Sequence, residues 1–194
     1  PLAGDVKYKD LNKDGKIDEK DVRDIGYPKY PLYTAGMNLG VSWKGFDFNV
    51  FFQGSQGNDV LNMTLRDFES GTGTMNAREG FLNRAWNGEG STDKYHRISA
   101  EQGQNSEISD YFVEDGSYLR LKNLQLGYNF CERLLKIKGI SYLRLYVSAQ
   151  NLFTLTKYSG LDPEIGSSNA TLNGIDQGFY PQARTWTVGL NIKF

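Results

Sequence analysis

Residues 33–53 read YTAGMNLGVSWKGFDFNVFFQ, and the parity of this stretch decides the fold. Tyr33, Ala35, Met37, Leu39, Val41 and Trp43 are apolar, while Thr34, Gly36, Asn38, Gly40 and Ser42 between them are small or polar. Successive side chains of an extended chain point to opposite faces, so a period of two marks a strand with one apolar side. After Lys44-Gly45 the pattern resumes, with Phe46, Phe48, Val50 and Phe52 against Asp47, Asn49 and Gln53. Two such runs across a two-residue connection predict an antiparallel hairpin over 33–43 and 46–53.

Three further segments carry the same signature. In 117–130, Leu119 and Leu121 share one parity and Leu124, Leu126, Tyr128 and Phe130 the other, which predicts a bulge or a change of face around Lys122 and Asn123. In 140–151, Leu143, Leu145, Val147 and Ala149 alternate with Arg144, Tyr146, Ser148 and Gln150. In 183–194, Trp186, Val188, Leu190, Ile192 and Phe194 alternate with Thr185, Thr187, Gly189, Asn191 and Lys193. Between the strands lie a long polar stretch (54–116), a short linker (131–139) and a second polar loop (157–182) with the turn formers Asp162-Pro163 and Asn173-Gly174. Within 54–116, Phe81, Leu82 and Ala85 are at helical spacing, so one short helix is expected in 77–86.

Composition agrees with an all-β chain: 13% aromatic residues and 22 glycines among 194, where a disordered chain would lack the aromatics. A formal charge of −1 and no stripe of Lys and Arg offer no footprint for nucleic acid. Cys131 is the single cysteine and forms no intrachain disulfide. There is no apolar run of about eighteen residues, so no transmembrane helix is expected, yet barrel strands cross a membrane with roughly ten alternating residues each.

Alternation alone does not separate a membrane barrel from a soluble sandwich, but the connections do. They run long, short, long, short, long: residues 1–32, 44–45, 54–116, 131–139 and 157–182. Outer-membrane barrels sort their loops this way, with brief periplasmic turns and extended outer loops. Tyr33, Trp43, Phe46, Tyr128, Phe130, Trp186 and Phe194 stand near the ends of predicted strands, where interfacial girdles place their rings. Five strands do not close such a barrel, whose smallest members have about eight, so the segment is expected to be a piece of something larger.

Five blocks, in order, then carry a resemblance: GDVKYKDLNKDGKIDEKD (4–21), IGYPKYPLYTAGMNLGVSWKGFDFNVFFQGSQGND (25–59), VEDGSYLRLKNLQLGYNF (113–130), LRLYVSAQNLFTLTKYSGLDPEIG (143–166) and FYPQARTWTVGLNIKF (179–194). Together they resemble the C-terminal part of the SusC/RagA family of TonB-linked outer-membrane proteins. The resemblance implies a transmembrane barrel of about 22 strands, with loops outside the cell and a plug and TonB-contacting region that this sequence does not contain. It also implies a SusD-like lipoprotein over the outer mouth, uptake of glycans or peptides as nutrients, and a terminal aromatic, Phe194, that serves barrel assembly. Cys131 departs from the family, which commonly has a proline there.

One constellation carries binding chemistry. Residues 10–21 read DLNKDGKIDEKD, matching D-x-[DN]-x-[DN]-G of an EF-hand-like calcium loop. Asp10, Asn12 and Asp14 supply oxygens at positions 1, 3 and 5, and Gly15 permits the turn. Lys16 offers its carbonyl, Ile17 is an apolar anchor, Asp18 binds directly or through water, and Asp21 closes the site. Asp21 stands where a longer Glu is usual. Hard oxygen ligands select Ca²⁺ over Mg²⁺, in a structural role that ties down the 1–32 segment.

No nucleophile arrangement surrounds His96, the single histidine, which is expected as a polar loop residue. Glu114 and Asp115, adjacent on a strand, would face opposite ways and make no catalytic pair. Trp86, Tyr95 and Arg97 are placed to stack on a sugar or clamp a peptide, or to pack within their loop. The sequence therefore predicts a non-enzymatic wall of a nutrient importer, in contact with membrane lipid. The alternative is a soluble secreted calcium-binding β module that binds glycans, which extraction behaviour separates from a barrel segment.

Overall fold

The computed structural model describes residues 2–24, 26–69, 75–99, 104–130, 139–166 and 169–194. In chain order its strands are β1 (Tyr33–Trp43), β2 (Phe46–Gln56), β3 (Asp59–Asn62), β4 (Val113–Asp115), β5 (Tyr118–Phe130), β6 (Tyr142–Thr156), β7 (Ile175–Asp176) and β8 (Thr185–Lys193). Two short helices, α1 (Met63–Glu69) and α2 (Phe81–Arg84), lie between β3 and β4. Strands β1, β2, β5, β6 and β8 form one antiparallel sheet in that order, each paired with the next.

The sheet keeps one face apolar by a bulge. Strand β2 pairs Phe51 with Asn123 but Phe52 with Leu121, and β6 pairs Phe153 with Leu121 but Gln150 with Asn123. Lys122 is the extra residue that absorbs the parity change in β5, as the leucine pattern suggested. Beside it, Asn151 of β6 has φ of 51°, a left-handed backbone that Asn tolerates better than most residues.

The reading of 54–116 as a long polar stretch with one helix is corrected. β2 continues to Gln56, and β3, α1, α2 and β4 all lie within that stretch. The polar loop read at 157–182 likewise contains β7, which pairs in parallel with β3 while β4 pairs antiparallel with it. These strands are two to four residues long, too short to display a period. The apolar residues of these two stretches are scattered in sequence, yet Val60, Phe81, Ala85, Phe112 and Tyr158 are buried. Each large apolar side chain so buried contributes about 1.5–3 kcal/mol.

The long connections therefore gather into a folded lobe at one end of the sheet. The Asp59 N–H donates to the Pro28 carbonyl, Leu61 to Gly174, and Arg97 to Gly4, tying all three connections together. At the other end β1 and β2 meet in the turn at Lys44-Gly45. The linker read at 131–139, with Cys131, lies outside the described residues except for its last residue.

Candidate functional site

The two faces of the large sheet differ in chemistry along whole rows. Directly paired residues share a face, and the register aligns Val41, Phe48, Leu126, Val147 and Val188 in one row across five strands. The next rows are Leu39, Val50, Leu124, Ala149 and Trp186, then Trp43, Phe46, Tyr128, Leu145 and Leu190. Much of this apolar surface is open: Val188 is 72% exposed, Trp186 66% and Leu126 51%. Exposed apolar surface this continuous marks an interaction face rather than scattered hydrophobic residues. Toward the turn end its rings pack together, with Phe46 4.6 Å from Tyr128 and Tyr128 4.9 Å from Phe130.

The opposite face is polar. Its rows run Gly40, Asn49, Gln125, Ser148 and Thr187, and Ser42, Asp47, Gly127, Tyr146 and Gly189. Arg144 reaches Asp47 across β5, donating from Nε at 3.0 Å and pairing through Nη2. The Asp47 and Arg144 side chains meet over Gly127, where a β-carbon would overlap them. Gly189 likewise leaves room for the Tyr146 ring. Asn129 Nδ2 donates to Asp47 and accepts at Oδ1 from the Tyr142 hydroxyl, extending the ladder.

Where this face meets the lobe, Arg120 is 2% exposed. Its Nε donates to Thr154 Oγ1 at 2.8 Å, its Nη1 to Glu164 at 2.7 Å, and its Nη2 to Asp162. Lys122 Nζ reaches the same Glu164 at 2.8 Å. Burial alone would raise the Asp162 carboxyl, but the N–H groups of Gln182 and Glu164 and the Arg120 guanidinium outweigh it and hold it below the usual carboxylate range. The segment around Asp162-Pro163-Glu164 is thus clamped to the polar face. Sequence reasoning marked Asp162-Pro163 only as a turn; the signal it missed is Arg120 and Lys122 on the polar parity of a strand.

The candidate calcium loop is closed on itself. Asp10 accepts from the N–H groups of Lys13 (2.6 Å) and Gly15 (2.8 Å), Asn12 Oδ1 from Asp14, and Asp14 Oδ1 from Lys16. Lys13 and Gly15 have φ of 62° and 84°, the left-handed turns that let the backbone curl around these oxygens. Asp21 reaches back to Leu11 at 2.7 Å and caps the one-turn 3₁₀ helix Glu19–Asp21 through Asp18. Backbone N–H groups of Asp18 and Leu11 hold the Asp21 carboxyl below its usual range. Thus Asp10, Asn12, Asp14 and Asp21 share one stretch of backbone, with Asp18 accepting from Lys20. The donor set is of the hard-oxygen type a calcium ion takes, but its side chains are turned onto the backbone. Among the described residues no group of three or more His, Cys, Asp or Glu converges as for a metal ion. Ile17, expected as an anchor, is 44% exposed.

His96 is a core residue of the lobe rather than an open loop residue, at 5% exposure. Its Nδ1 lies 2.8 Å from the Arg97 carbonyl and its ring packs between Phe81 and Tyr111. Trp86 and Tyr95 line one cavity of about 420 Å³. Arg97, read with them as a clamp, instead pairs with Asp5 at 2.6 Å. Burial raises the Asp5 carboxyl, but the Leu2 N–H, Arg97 and Asn105 outweigh it and hold it at about 2. Glu114 accepts from Asn62 and Ser159, while Asp115 accepts from the Ser117 N–H, so the two carboxylates serve separate contacts.

No family model matches the chain. Over 98% of its length it is 41% identical to the TonB-dependent receptor P3 of Formosa agariphila, covering 19% of that protein. It is 33% identical over 96% of its length to the TonB-dependent receptor SusC of Bacteroides thetaiotaomicron, covering 17% of it. Among solved structures, the RagAB peptide importer in its open-open state aligns over 92% of this chain and 19% of that one, at 29% identity and a TM-score of 0.77. The chain spans about a fifth of the length of the curated relatives it matches.

Proposed function

From the premise that this chain belongs to the SusC-like family of TonB-dependent receptors, we propose that it forms the C-terminal strands and outer loops of an outer-membrane nutrient importer. The observation that carries this reading is the run of apolar rows, unbroken across five strands and largely open apart from Val50 and Ala149, backed by a polar face of Asp47, Asn49, Gln125 and Arg144. A sheet of this kind fits a barrel wall, with lipid on one side and an aqueous lumen on the other. Among the described residues, strands β1 and β8 each pair on one side only, which suits a sheet that continues toward a barrel of about 22 strands.

In this reading the lobe faces the medium, a SusD-like lipoprotein covers the outer mouth, and TonB drives uptake through the rest of the receptor. Its substrates are glycans or peptides, and the similarity to a peptide importer supports the second class. The wall does no covalent chemistry. A structural calcium ion would take its oxygens from Asp10, Asn12, Asp14, Asp18, Asp21 and the Lys16 carbonyl; the spacing of these residues supports it. An ion there would neutralise carboxylates clustered in one short loop.

The test uses the intact receptor. It should fractionate with the outer membrane, require detergent for extraction, and take up labelled oligopeptide or oligosaccharide only when TonB is present. Recovery as a soluble monomer without detergent would instead favour a secreted glycan-binding module. For the calcium ion, a chelator should speed proteolysis within residues 2–24; equal cleavage with and without chelator counts against it.

A further inference from the structure

We propose that the cavity under the N-terminal arm of the lobe binds a short peptide by both of its charged termini. The proposal rests on the importer reading and names its substrate class at one outer subsite.

The cavity is built rather than incidental. Its walls come from residues 4–7, Trp86, residues 92–96 and Tyr111. The Arg97 N–H donates to Gly4 at 2.8 Å, Trp86 to His96 at 3.2 Å, and Val6 to Asn105 Oδ1 at 2.8 Å, so three separate segments are pinned around it. The Asp5 to Arg97 ion pair locks the same junction. In the wall, His96 must donate from Nδ1, because its partner there is a carbonyl. Its Nε2 is buried and without a hydrogen-bond partner among the described residues. A buried orphan of this kind marks a polar network that something else completes.

The lining selects the ligand. Lys7, Asp93 and Lys94 line the cavity and are exposed, and none of them enters an ion pair found among the described residues. Asp5 is neutralised by Arg97. Two cations and one carboxylate outside any ion pair found among the described residues complement a ligand that carries a carboxylate at one end and an ammonium at the other. A neutral sugar would need an open aromatic face. Here Gly4 sits against the Trp86 ring, and the Tyr95 ring has Arg84 at 5.2 Å and Lys94 at 5.5 Å over it. An acidic sugar would satisfy the lysines but leave Asp93 unmatched. At about 420 Å³ the space lies within the range of small-ligand sites.

Equilibrium dialysis of labelled trialanine against the detergent-purified intact receptor tests this. Trialanine should bind, and its C-terminal amide should bind about tenfold more weakly or worse. Lys94→Gln combined with Lys7→Gln should weaken trialanine by about tenfold while leaving the amide unaffected, since only the carboxylate contact is removed. Asp93→Asn should erase the preference for trialanine over its N-acetyl form. All three side chains are exposed, so folding is preserved, and an unchanged heat-induced mobility shift of each variant verifies it. No binding of trialanine, equal binding by wild type and variants, or displacement by a glucuronate trimer better than by trialanine each overturns the proposal. The importer reading is judged separately, by membrane fractionation and TonB dependence of the wild type.

Discussion

Arg120 shows what one residue carries. Its guanidinium is enclosed and faces Asp162, Glu164 and Thr154, so Arg120→Met would leave Asp162 buried without its cation. Breaking a buried pair from one side costs about 3–5 kcal/mol. We expect the variant receptor to lose its heat-stable fold at lower temperature and to be cut between residues 157 and 166. Lys122→Met touches only the half-exposed Glu164 and should cost under about 1 kcal/mol, read in the same assay. At Asp5 the folded carboxyl lies near 2, below its ordinary 3.8. A depressed acid contributes stability above the ordinary value that is lost as pH falls through the folded one. The N-terminal arm should therefore loosen between about pH 4 and pH 2, seen as faster pepsin cleavage near residues 2–8. Arg97→Gln should move that loosening to higher pH. Of the individual contacts, the sequence foretold the separation of Glu114 from Asp115. For Arg120 it marked the face but not the partners, because a cation on a strand announces its face but not the loop that will cover it.

At the scale of the element, Thr187 and Val188 are neighbours on β8 that point to opposite faces. Val188→Lys would bring a charge to the apolar rows and should destabilise the receptor in lipid by about 2–4 kcal/mol near the midplane. Thr187→Lys, on the polar face, should change little. Urea titration of both variants in lipid vesicles reads the difference, and equal losses would mean that the two faces share one environment. The large sheet was readable because its strands hold a period of two over nine or more residues. Even the parity break at Lys122 was visible as a change in which leucines align. The small sheet was not, since β3, β4 and β7 offer too few residues for a pattern to repeat. Their pairing depends instead on Leu61 finding Gly174 and Val113 across long intervals of chain.

For the whole molecule, the described residues leave the five-stranded sheet with two unpaired edges and an apolar face that none of them covers. Residues 1–194 expressed alone should sediment as aggregate unless detergent is supplied, whereas a self-sufficient domain would stay monomeric. The lobe is the part with its own core, built on Val60, Phe81 and Phe112, and it brings the polar, Gly-rich connections into one folded body. By itself the sequence determined which side chains of the long strands share a face, since alternation is a property of the extended backbone and needs no distant partner. It also determined the ring of the acidic loop, whose hydrogen bonds join residues two to ten positions apart. Only the tertiary structure decided the clamp of Arg120 on Asp162, the union of Asp5 with Arg97 and the cavity that Asp5 lines. Those contacts close loops of 42 and 92 residues, and what brings such groups together is the packing of the whole chain, which no local pattern encodes.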